Sequence, residues 1–330
     1  LGRDGPGMNR WDREPLPATA ACDAGRIITL DGRQTHYLEA GSGPPLILLH
    51  GYFFDGRMWC RNLDALSRHF TVYVPDLWGS GLSCRGRLDY SYRLFSRQVE
   101  LLMQYLGLER AAFAGQGMGA GTILSLASDH AEAVDRMILV DSAGLPDTIP
   151  RSARLLQSPP IARPLFKIPG NTVRRHVLRR HFLANPAILT DTLFDEVMAF
   201  QRIRGTARCL LDMLRAGFFH SLGDRISALS NAEIPALIVW GELDESNPLR
   251  QGQKLHRALP QQDEVLEEIG SSIRGASEQS YKAQAEAVSA FEPTRAENFG
   301  ELLNDVGDGA PGRMVADDAG SVLARLDEHM

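Results

Sequence analysis

The stretch Ala111-Ala112-Phe113-Ala114-Gly115-Gln116-Gly117-Met118-Gly119 decides the fold of this chain. It begins with a short apolar run of the kind that is buried on both faces in a parallel sheet. Three glycines then alternate with Gln116 and Met118, and a helical pattern follows. Because glycine accepts backbone angles that other residues avoid, the stretch predicts a strand that turns sharply into a helix.

Apolar runs of the same kind lie on both sides of this stretch, at Leu46–Leu49, Thr71–Val74, Met137–Val140 and Ala236–Trp240. Most of them are separated by helical patterns, such as Tyr92–Leu106 with its apolar stripe. This alternation of strands and helices predicts a doubly wound α/β fold with right-handed crossovers.

Three further segments complete the predicted sheet. Arg26–Leu30 and Gln34–Ala40 are rich in β-forming residues, and the Asp31-Gly32 pair between them is one of the stronger hairpin signals. We expect these two segments to form an antiparallel pair at one edge, and Glu264–Ile269 to be the last strand. The prediction is therefore a mostly parallel sheet of eight strands.

The alternation stops between residues 144 and 231, where seven prolines and several helical segments occur without a clear strand. That stretch predicts a helical cap inserted over the sheet. We expect an arm over residues 1–25, an α/β core over 26–143 and 232–292, the cap over 144–231, and an acidic C-terminal extension over 293–330.

The composition excludes several classes of protein. With 44% hydrophobic and 23% charged residues the chain is typical of a globular protein. Its net charge of −6 gives no general electrostatic case for binding nucleic acid. No apolar run approaches the roughly 18 residues of a membrane span, and the four cysteines lie far apart, without metal-ligand spacing. We expect a cytoplasmic protein without membrane, nucleic-acid, metal or cofactor partners; its oligomeric state stays open.

Four segments, taken in order, resemble the α/β-hydrolase superfamily, in particular its capped esterase-like and lipase-like members. They are His50-Gly51 after an apolar run and followed by Trp59, the loop Pro75–Ser83, the glycine-rich turn Gly115–Gly119 where the family carries G-x-S-x-G, and Trp240–Asp244. The resemblance covers roughly residues 26–291 and implies hydrolysis of a carboxylic ester or another small apolar substrate.

The resemblance also implies roles for individual residues. The family needs a nucleophile on the sharp turn, a base, an acid that orients the base, and backbone N–H groups that hold the oxyanion. The nucleophile position corresponds to Gly117, and the acid to Asp244. The backbone N–H groups at Tyr52 and Met118 correspond to the oxyanion donors. His50 is expected to be a structural hydrogen-bonding residue rather than the base.

Two positions depart from the family pattern. Gly117 has no side chain that could attack a substrate, and Ile273 stands where the histidine base is expected. The one histidine after Ile273 is His329, next to the end of the sequence. Removing the nucleophile or the base of such a triad costs on the order of 10⁶ in turnover. We therefore expect esterase activity of this chain to be low or absent.

Three explanations of Gly117 stay open: an introduced replacement of serine, a natural non-hydrolytic member of the superfamily, or a mechanism that uses other residues. The first functional hypothesis is an α/β-hydrolase-family protein that resembles carboxylic ester hydrolases, with incomplete catalytic machinery. The alternative is a non-catalytic ligand-binding or interaction protein on the same scaffold. The third hypothesis is a cofactor-free lyase or oxygenase. Relatives of that kind generally keep a His–Asp pair, which this sequence does not show. In each case the expected ligand is small and apolar or ester-like.

Overall fold

A computed structural model describes residues 25–145, 171–181, 183, 189–215, 222–241, 244, 246–259 and 262–266. It contains one sheet of eight strands in the order β1-β2-β4-β3-β5-β6-β7-β8. The strands are β1 (Gly25–Leu30), β2 (Arg33–Ala40), β3 (Pro45–Leu49), β4 (Thr71–Pro75), β5 (Ala111–Gln116), β6 (Val134–Val140), β7 (Ala236–Val239) and β8 (Gln262–Leu266). Strand β2 is antiparallel to both β1 and β4, and the other pairs are parallel. The predicted mostly parallel, eight-stranded sheet is confirmed.

The two edges of the sheet are the β1–β2 hairpin and strand β8, and they match the sequence prediction to different degrees. The β1–β2 hairpin turns at Asp31-Gly32, where both residues have positive φ, 49° and 71°, as a two-residue turn between twisted strands requires. The last strand is Gln262–Leu266, and its first residue lies two positions before the predicted start at Glu264. The predicted start was two residues late, because β8 pairs with β7 alone and has only a short apolar pattern, and the predicted end at Ile269 lies outside the described residues.

Helices cover both faces of the sheet. The described helices are α1 (Cys60–Leu66), α2 (Tyr92–Leu106), α3 (Met118–Asp129), α4 (Thr172–His181), α5 (Asp191–Met198), α6 (Thr206–Arg215), α7 (Gly223–Ala228) and α8 (Leu249–Ala258). Neighbouring residues of β3 belong to opposite cores: Ile47 and Leu49 pack with α2 and α3, whereas Leu46 and Leu48 pack on the α1 side. Burial on both faces is why this strand appears in the sequence as an unbroken apolar run.

The described residues between β6 and β7 form helices α4–α7 and no strand, in agreement with a helical insertion. Helix α7 packs against α3 of the core. The predicted arm over 1–25, except Gly25, and the extension over 293–330 lie outside the described residues. The domain bounds therefore stay a prediction.

A buried carboxylate fixes the loops near the carboxyl end of β4. Asp76 accepts hydrogen bonds from the N–H groups of Gly56, at 2.8 Å, and Leu82, at 2.7 Å, and lies 2.8 Å from Nδ1 of His36. Burial alone would raise the pKa of Asp76, but the hydrogen bond and charge of His36 outweigh burial and lower that pKa to about 2. The group is therefore ionised in the folded protein and stabilises the loop that Pro75–Ser83 forms.

Candidate functional site

Gly117 occupies the sharp turn between β5 and α3. Its backbone angles are φ 53° and ψ −107°, a conformation that residues with a side chain rarely adopt. The Gly117 N–H donates to the carbonyl of Val140 at 2.9 Å, and the Gly117 carbonyl accepts from the Ala143 N–H at 3.0 Å. The chain that follows β6 therefore fixes this turn from both sides.

The three glycines of the turn differ in the space around them. A Cβ on Gly115 would lie 2.6 Å from the Ala120 nitrogen, and a Cβ on Gly119 would lie 2.2 Å from the Leu49 carbonyl oxygen. A Cβ on Gly117 would meet, among the described residues, the Asp141 carbonyl oxygen at 3.9 Å and no other atom within 4 Å. Packing thus requires glycine at 115 and 119, whereas position 117 has room for a side chain at the cost of backbone strain, about 1–3 kcal/mol.

The segments that carry the two expected oxyanion donors are neighbours. Strand β3 pairs with β5 in parallel, with Leu49 opposite Gly115, so the loop that begins at His50 emerges beside the turn at Gly117. A Cβ on Gly51 would lie 1.9 Å from Oε1 of Gln116, which shows how closely this loop contacts the turn. Met118 is the first residue of α3, and the first N–H groups of a helix have no acceptor within the helix.

The side chain of Tyr52 contacts the inserted helices. Its hydroxyl donates a hydrogen bond to the carbonyl of Leu210 in α6 at 3.0 Å. Burial raises the pKa of this hydroxyl, so it is neutral and available as a donor. The residue after His50-Gly51 therefore connects the loop after β3 with the inserted helices, a contact that sequence reasoning missed.

His50 is fully buried, and both of its ring nitrogens contact the backbone. Nδ1 lies 2.9 Å from the Gly51 carbonyl oxygen, and Nε2 accepts from the Leu77 N–H at 3.0 Å. Donation from Nδ1 and acceptance at Nε2 describe one neutral tautomer. This agrees with the structural role expected for His50.

Asp244 lies in the turn between β7 and α8 and is partly exposed. Its Oδ1 accepts hydrogen bonds from the N–H groups of Ser246, at 2.6 Å, and Asn247, at 2.9 Å. The carbonyl of Asn247 in turn accepts from Nε1 of Trp240 at 2.7 Å. The structure thus places Asp244 at the edge of the sheet where the sequence predicted it, with one carboxylate oxygen holding the turn.

Sequence reasoning missed a second carboxyl at this edge. Asp141 follows β6 directly and has φ 45°. Its Oδ1 accepts from the Gly241 N–H at 2.7 Å, and its carbonyl oxygen accepts from Nδ2 of Asn247 at 3.1 Å. Burial and, to a smaller extent, the neighbouring carboxylate of Asp244 raise the pKa of Asp141 to about 7, although the hydrogen bond from the Gly241 N–H acts to lower it. The available signal was an acidic residue at the carboxyl end of a buried strand adjacent to β5.

The expected position of the base, Ile273, lies outside the described residues. Within the described part of the chain, no histidine hydrogen-bonds to Asp141. The same part holds no group of three or more metal-ligating side chains and no helix with the length and apolarity to cross a membrane. In the same part of the chain, Cys84 and Cys209 carry free thiols.

A family described as alpha/beta hydrolase fold matches residues 44–271. An uncharacterized protein of Mycobacterium tuberculosis is 30% identical over 257 residues, which cover 73% of this chain and 74% of that protein. A soluble epoxide hydrolase from a Corynebacterium species is 26% identical over 227 residues, covering 64% of this chain and 78% of the relative.

The fold is also that of solved structures. A meta-cleavage product hydrolase from Pseudomonas fluorescens, a serine-to-alanine mutant complexed with acetates, superposes with a TM-score of 0.67 at 23% identity. The match covers 81% of this chain and 97% of that protein. At 23% identity it shows that the two proteins share a fold. Together with the family match over residues 44–271, it means that this chain belongs to the α/β-hydrolase fold family.

Proposed function

We propose that this protein is an α/β-hydrolase-family member, similar to carboxylic ester hydrolases, whose triad is incomplete. In this proposal Gly117 occupies the nucleophile position, Tyr52 and Met118 supply the oxyanion N–H groups, Asp244 stands at the acid position, and Ile273 takes the place of the base. Turnover of esters through an acyl-enzyme is then low or absent.

The observation that carries this proposal is the backbone of Gly117. Position 117, with φ 53° and ψ −107°, lies at the start of α3 and has room for a Cβ among the described residues, and the residue there is glycine. Acyl transfer needs an atom at that point which attacks the carbonyl carbon. Backbone N–H groups alone stabilise a developing oxyanion but form no covalent intermediate.

A panel of p-nitrophenyl esters tests the proposal, with the unaltered protein, Gly117→Ser and Gly117→Ala compared at equal concentration. We expect the unaltered protein and Gly117→Ala to release p-nitrophenol no faster than denatured protein. Mass spectrometry after incubation with a fluorophosphonate measures covalent adducts. Ester cleavage at ordinary enzyme rates, or a phosphonyl adduct on the unaltered protein, would contradict the proposal.

The Gly117→Ser variant tests the missing nucleophile and the missing base separately. Without a base, a serine at position 117 gains little, because the hydroxyl is a weak nucleophile at its ordinary pKa. We therefore expect the variant to remain slow, and added imidazole to accelerate it if only the base is lacking. Fast turnover of Gly117→Ser without imidazole would show that a base is present elsewhere in the chain.

A second candidate function is ligand binding without catalysis. The observation that favours it is the side-chain-free position 117 at the N-terminus of α3, a helix of 12 residues. Helix N-termini and free N–H groups favour anionic oxygens. The acetates in the serine-to-alanine mutant of the structural relative belong to that protein, and they suggest a small carboxylate as the ligand class for this one. Thermal stabilisation by acetate or butyrate, in the absence of ester turnover, would support this function.

The remaining expectations are part of the same proposal. The ligand is small, apolar or ester-like, and enters between a core of residues 26–143 and 232–292 and a helical cap over 144–231. The protein acts in the cytoplasm and requires no cofactor. Limited proteolysis tests the domain bounds: cleavage should concentrate near the two ends of the inserted region and leave the core intact.

A further inference from the structure

A surface cavity of about 640 Å³ lies between α2, the end of α3 and α7. Helix α3 begins at the turn of Gly117 and ends at Asp129. At 1.5 Å per residue its 12 residues separate the two ends by about 18 Å, so the cavity is distinct from the candidate site. None of the described residues that line the cavity is apolar. Its lining therefore suits a polar ligand rather than a small apolar one.

Helix α2 presents one polar face to this cavity. Arg93, Ser96, Arg97 and Glu100 line it, and a spacing of i, i+3, i+4 and i+7 places residues on one side of a helix. Nη1 of Arg97 lies 2.8 Å from Oε2 of Glu100, so these two charges are paired. Arg93 is exposed and forms no salt bridge within the part of the chain that the structure describes. The face thus carries one guanidinium more than its carboxylate neutralises.

The position of Arg93 is unfavourable for α2 itself. Arg93 is the second residue of the helix, and the first turn contains no acidic residue. The N-terminus of a helix carries a partial positive charge, which disfavours a cation there and favours an anion. Arg97 lies one turn later on the same face, and like charges at this spacing repel each other. An anion bound in the cavity would offset both effects.

Helix α7 supplies a third guanidinium, that of Arg225, which also lines the cavity. Its Nη1 lies 2.5 Å from Oδ2 of Asp129 and 3.1 Å from Oγ of Ser128, at the end of α3, and it donates to the carbonyl oxygen of Ser125 at 3.4 Å. The carboxylate and the carbonyl end of α3 are therefore already compensated. All hydrogen bonds from Arg225 to described residues use Nη1, so Nε and Nη2 can donate to a ligand.

We propose that this cavity binds a phosphate monoester with a hydroxylated remainder, such as a sugar phosphate, through Arg93, Arg97 and Arg225. Guanidinium groups bind phosphate through paired N–H···O bonds. The three terminal oxygens of a phosphate monoester can contact groups on α2 and α7 at once, whereas a carboxylate offers two oxygens in one plane. The inference adds a second site to the one beside Gly117 and does not depend on it.

The size and the acids of the cavity account for the remainder of the ligand. Its volume of about 640 Å³ far exceeds that of a phosphate group and lies within the range of small-molecule sites, roughly 300–1,000 Å³. The carboxylates of Glu100 and Asp129 line it as well, and a carboxylate accepts hydrogen bonds from hydroxyl groups. Hydroxyls on the ligand would therefore contact the acids while the phosphate contacts the arginines.

Isothermal titration calorimetry of the full chain with glucose 6-phosphate tests the inference. Glucose lacks the phosphate, glucuronate carries a carboxylate in its place, and inorganic phosphate lacks the hydroxyls. We expect glucose 6-phosphate to bind more tightly than each of the three. Its affinity should fall as KCl rises from about 50 to 300 mM, because salt screens the charges of exposed arginines.

Two substitutions in α2 should change this affinity in opposite directions. Arg93→Gln removes a guanidinium and should weaken glucose 6-phosphate binding about tenfold, which is what loss of one charge-assisted hydrogen bond costs. Glu100→Gln keeps an acceptor oxygen and removes the charge that competes for Arg97, so binding should tighten. Arg68→Gln is the control: it is an exposed change just after α1, on the other face of the sheet, and should match the unaltered protein.

Two further measurements separate ligand binding from a structural role of Arg93. Without ligand, Arg93→Gln should have the same urea midpoint as the unaltered protein or a higher one. With glucose 6-phosphate, amide hydrogen exchange should slow at the start of α2 and at the end of α3. The inference is overturned by a lower midpoint, by slowing confined to the turn at Gly117, or by equal affinities of the unaltered protein and Arg93→Gln. Absence of binding at millimolar glucose 6-phosphate, or equally tight binding of glucuronate or inorganic phosphate, overturns it as well.

Discussion

The raised pKa of Asp141 predicts that ionising this carboxyl destabilises the folded protein. Its pKa is about 7 in the fold and 3.8 in an ordinary setting. Between these values the folded protein binds more protons than the unfolded chain, so the free energy of unfolding falls as pH rises. From pH 5 to pH 8 this loss is about 3 kcal/mol, at about 1.36 kcal/mol for each pH unit below the folded pKa. The loss is complete about one pH unit above 7.

Asp141→Asn tests this prediction, because asparagine keeps the shape of the side chain and has no titratable carboxyl. Urea unfolding of both proteins at pH 5, 6, 7 and 8 gives two free-energy curves. Other titrating groups contribute equally to both proteins and cancel in their difference. We expect the variant to gain about 3 kcal/mol relative to the unaltered protein between pH 5 and pH 8.

The same measurement on Asp244→Asn is informative because Asp244 contributes to the raised pKa of Asp141. Without that charge the pKa of Asp141 falls toward its ordinary value, and the pH-dependent loss becomes smaller. The exposed change Asp195→Asn serves as the control for removal of one negative charge. A difference between Asp141→Asn and the unaltered protein that stays constant from pH 5 to pH 8 would refute the reasoning.

Three further changes have defined outcomes. Gly119→Ala places a Cβ 2.2 Å from a backbone oxygen of β3, so its urea midpoint should drop by more than that of Gly117→Ala, which meets only backbone strain. Asp76→Asn should cost about 3–5 kcal/mol at pH 7, because it removes one member of a buried pair. Since the pKa of Asp76 is lowered to about 2, the stabilisation by its carboxylate is present above pH 4 and is lost as pH falls to 2. Acid unfolding curves of both proteins measure this loss. Tyr52→Phe removes the hydrogen bond to Leu210, and amide hydrogen exchange in α6 should accelerate while exchange in β5 stays the same.

Much of the fold could be predicted because its strands are buried on both faces. In β3, Ile47 and Leu48 point into different cores, so apolar residues follow one another and the run is visible without structural information. The Asp31-Gly32 turn was predictable for a local reason, since both residues adopt the positive φ that this dipeptide favours. Strand β8 has neither signal: it pairs on one side only, and its predicted bounds were two residues late at the start.

The candidate site was predictable only where its signals are local. Asp244 was predicted because the Trp240-Gly241 context precedes it within four residues. Asp141 is 100 residues from its hydrogen-bond donor Gly241, and its raised pKa comes from burial and from a charge on another segment. Neither cause leaves a pattern in the sequence, and the local signal is limited to an acidic residue that directly follows the buried strand β6. The contact between Tyr52 and Leu210, which spans 158 residues, was missed for the same reason.

The turn at Gly117 keeps its conformation without a nucleophile because other residues hold it. Glycines at 115 and 119 permit the close approach of Ala120 and Leu49, and the backbone after β6 bonds both the N–H and the carbonyl of Gly117. A side chain at position 117 takes no part in these contacts, so its absence relieves strain and leaves the backbone donors where they are. The absence of a hydroxyl at 117 therefore removes covalent chemistry and leaves this backbone unchanged, in agreement with the proposal that ester turnover is low or absent.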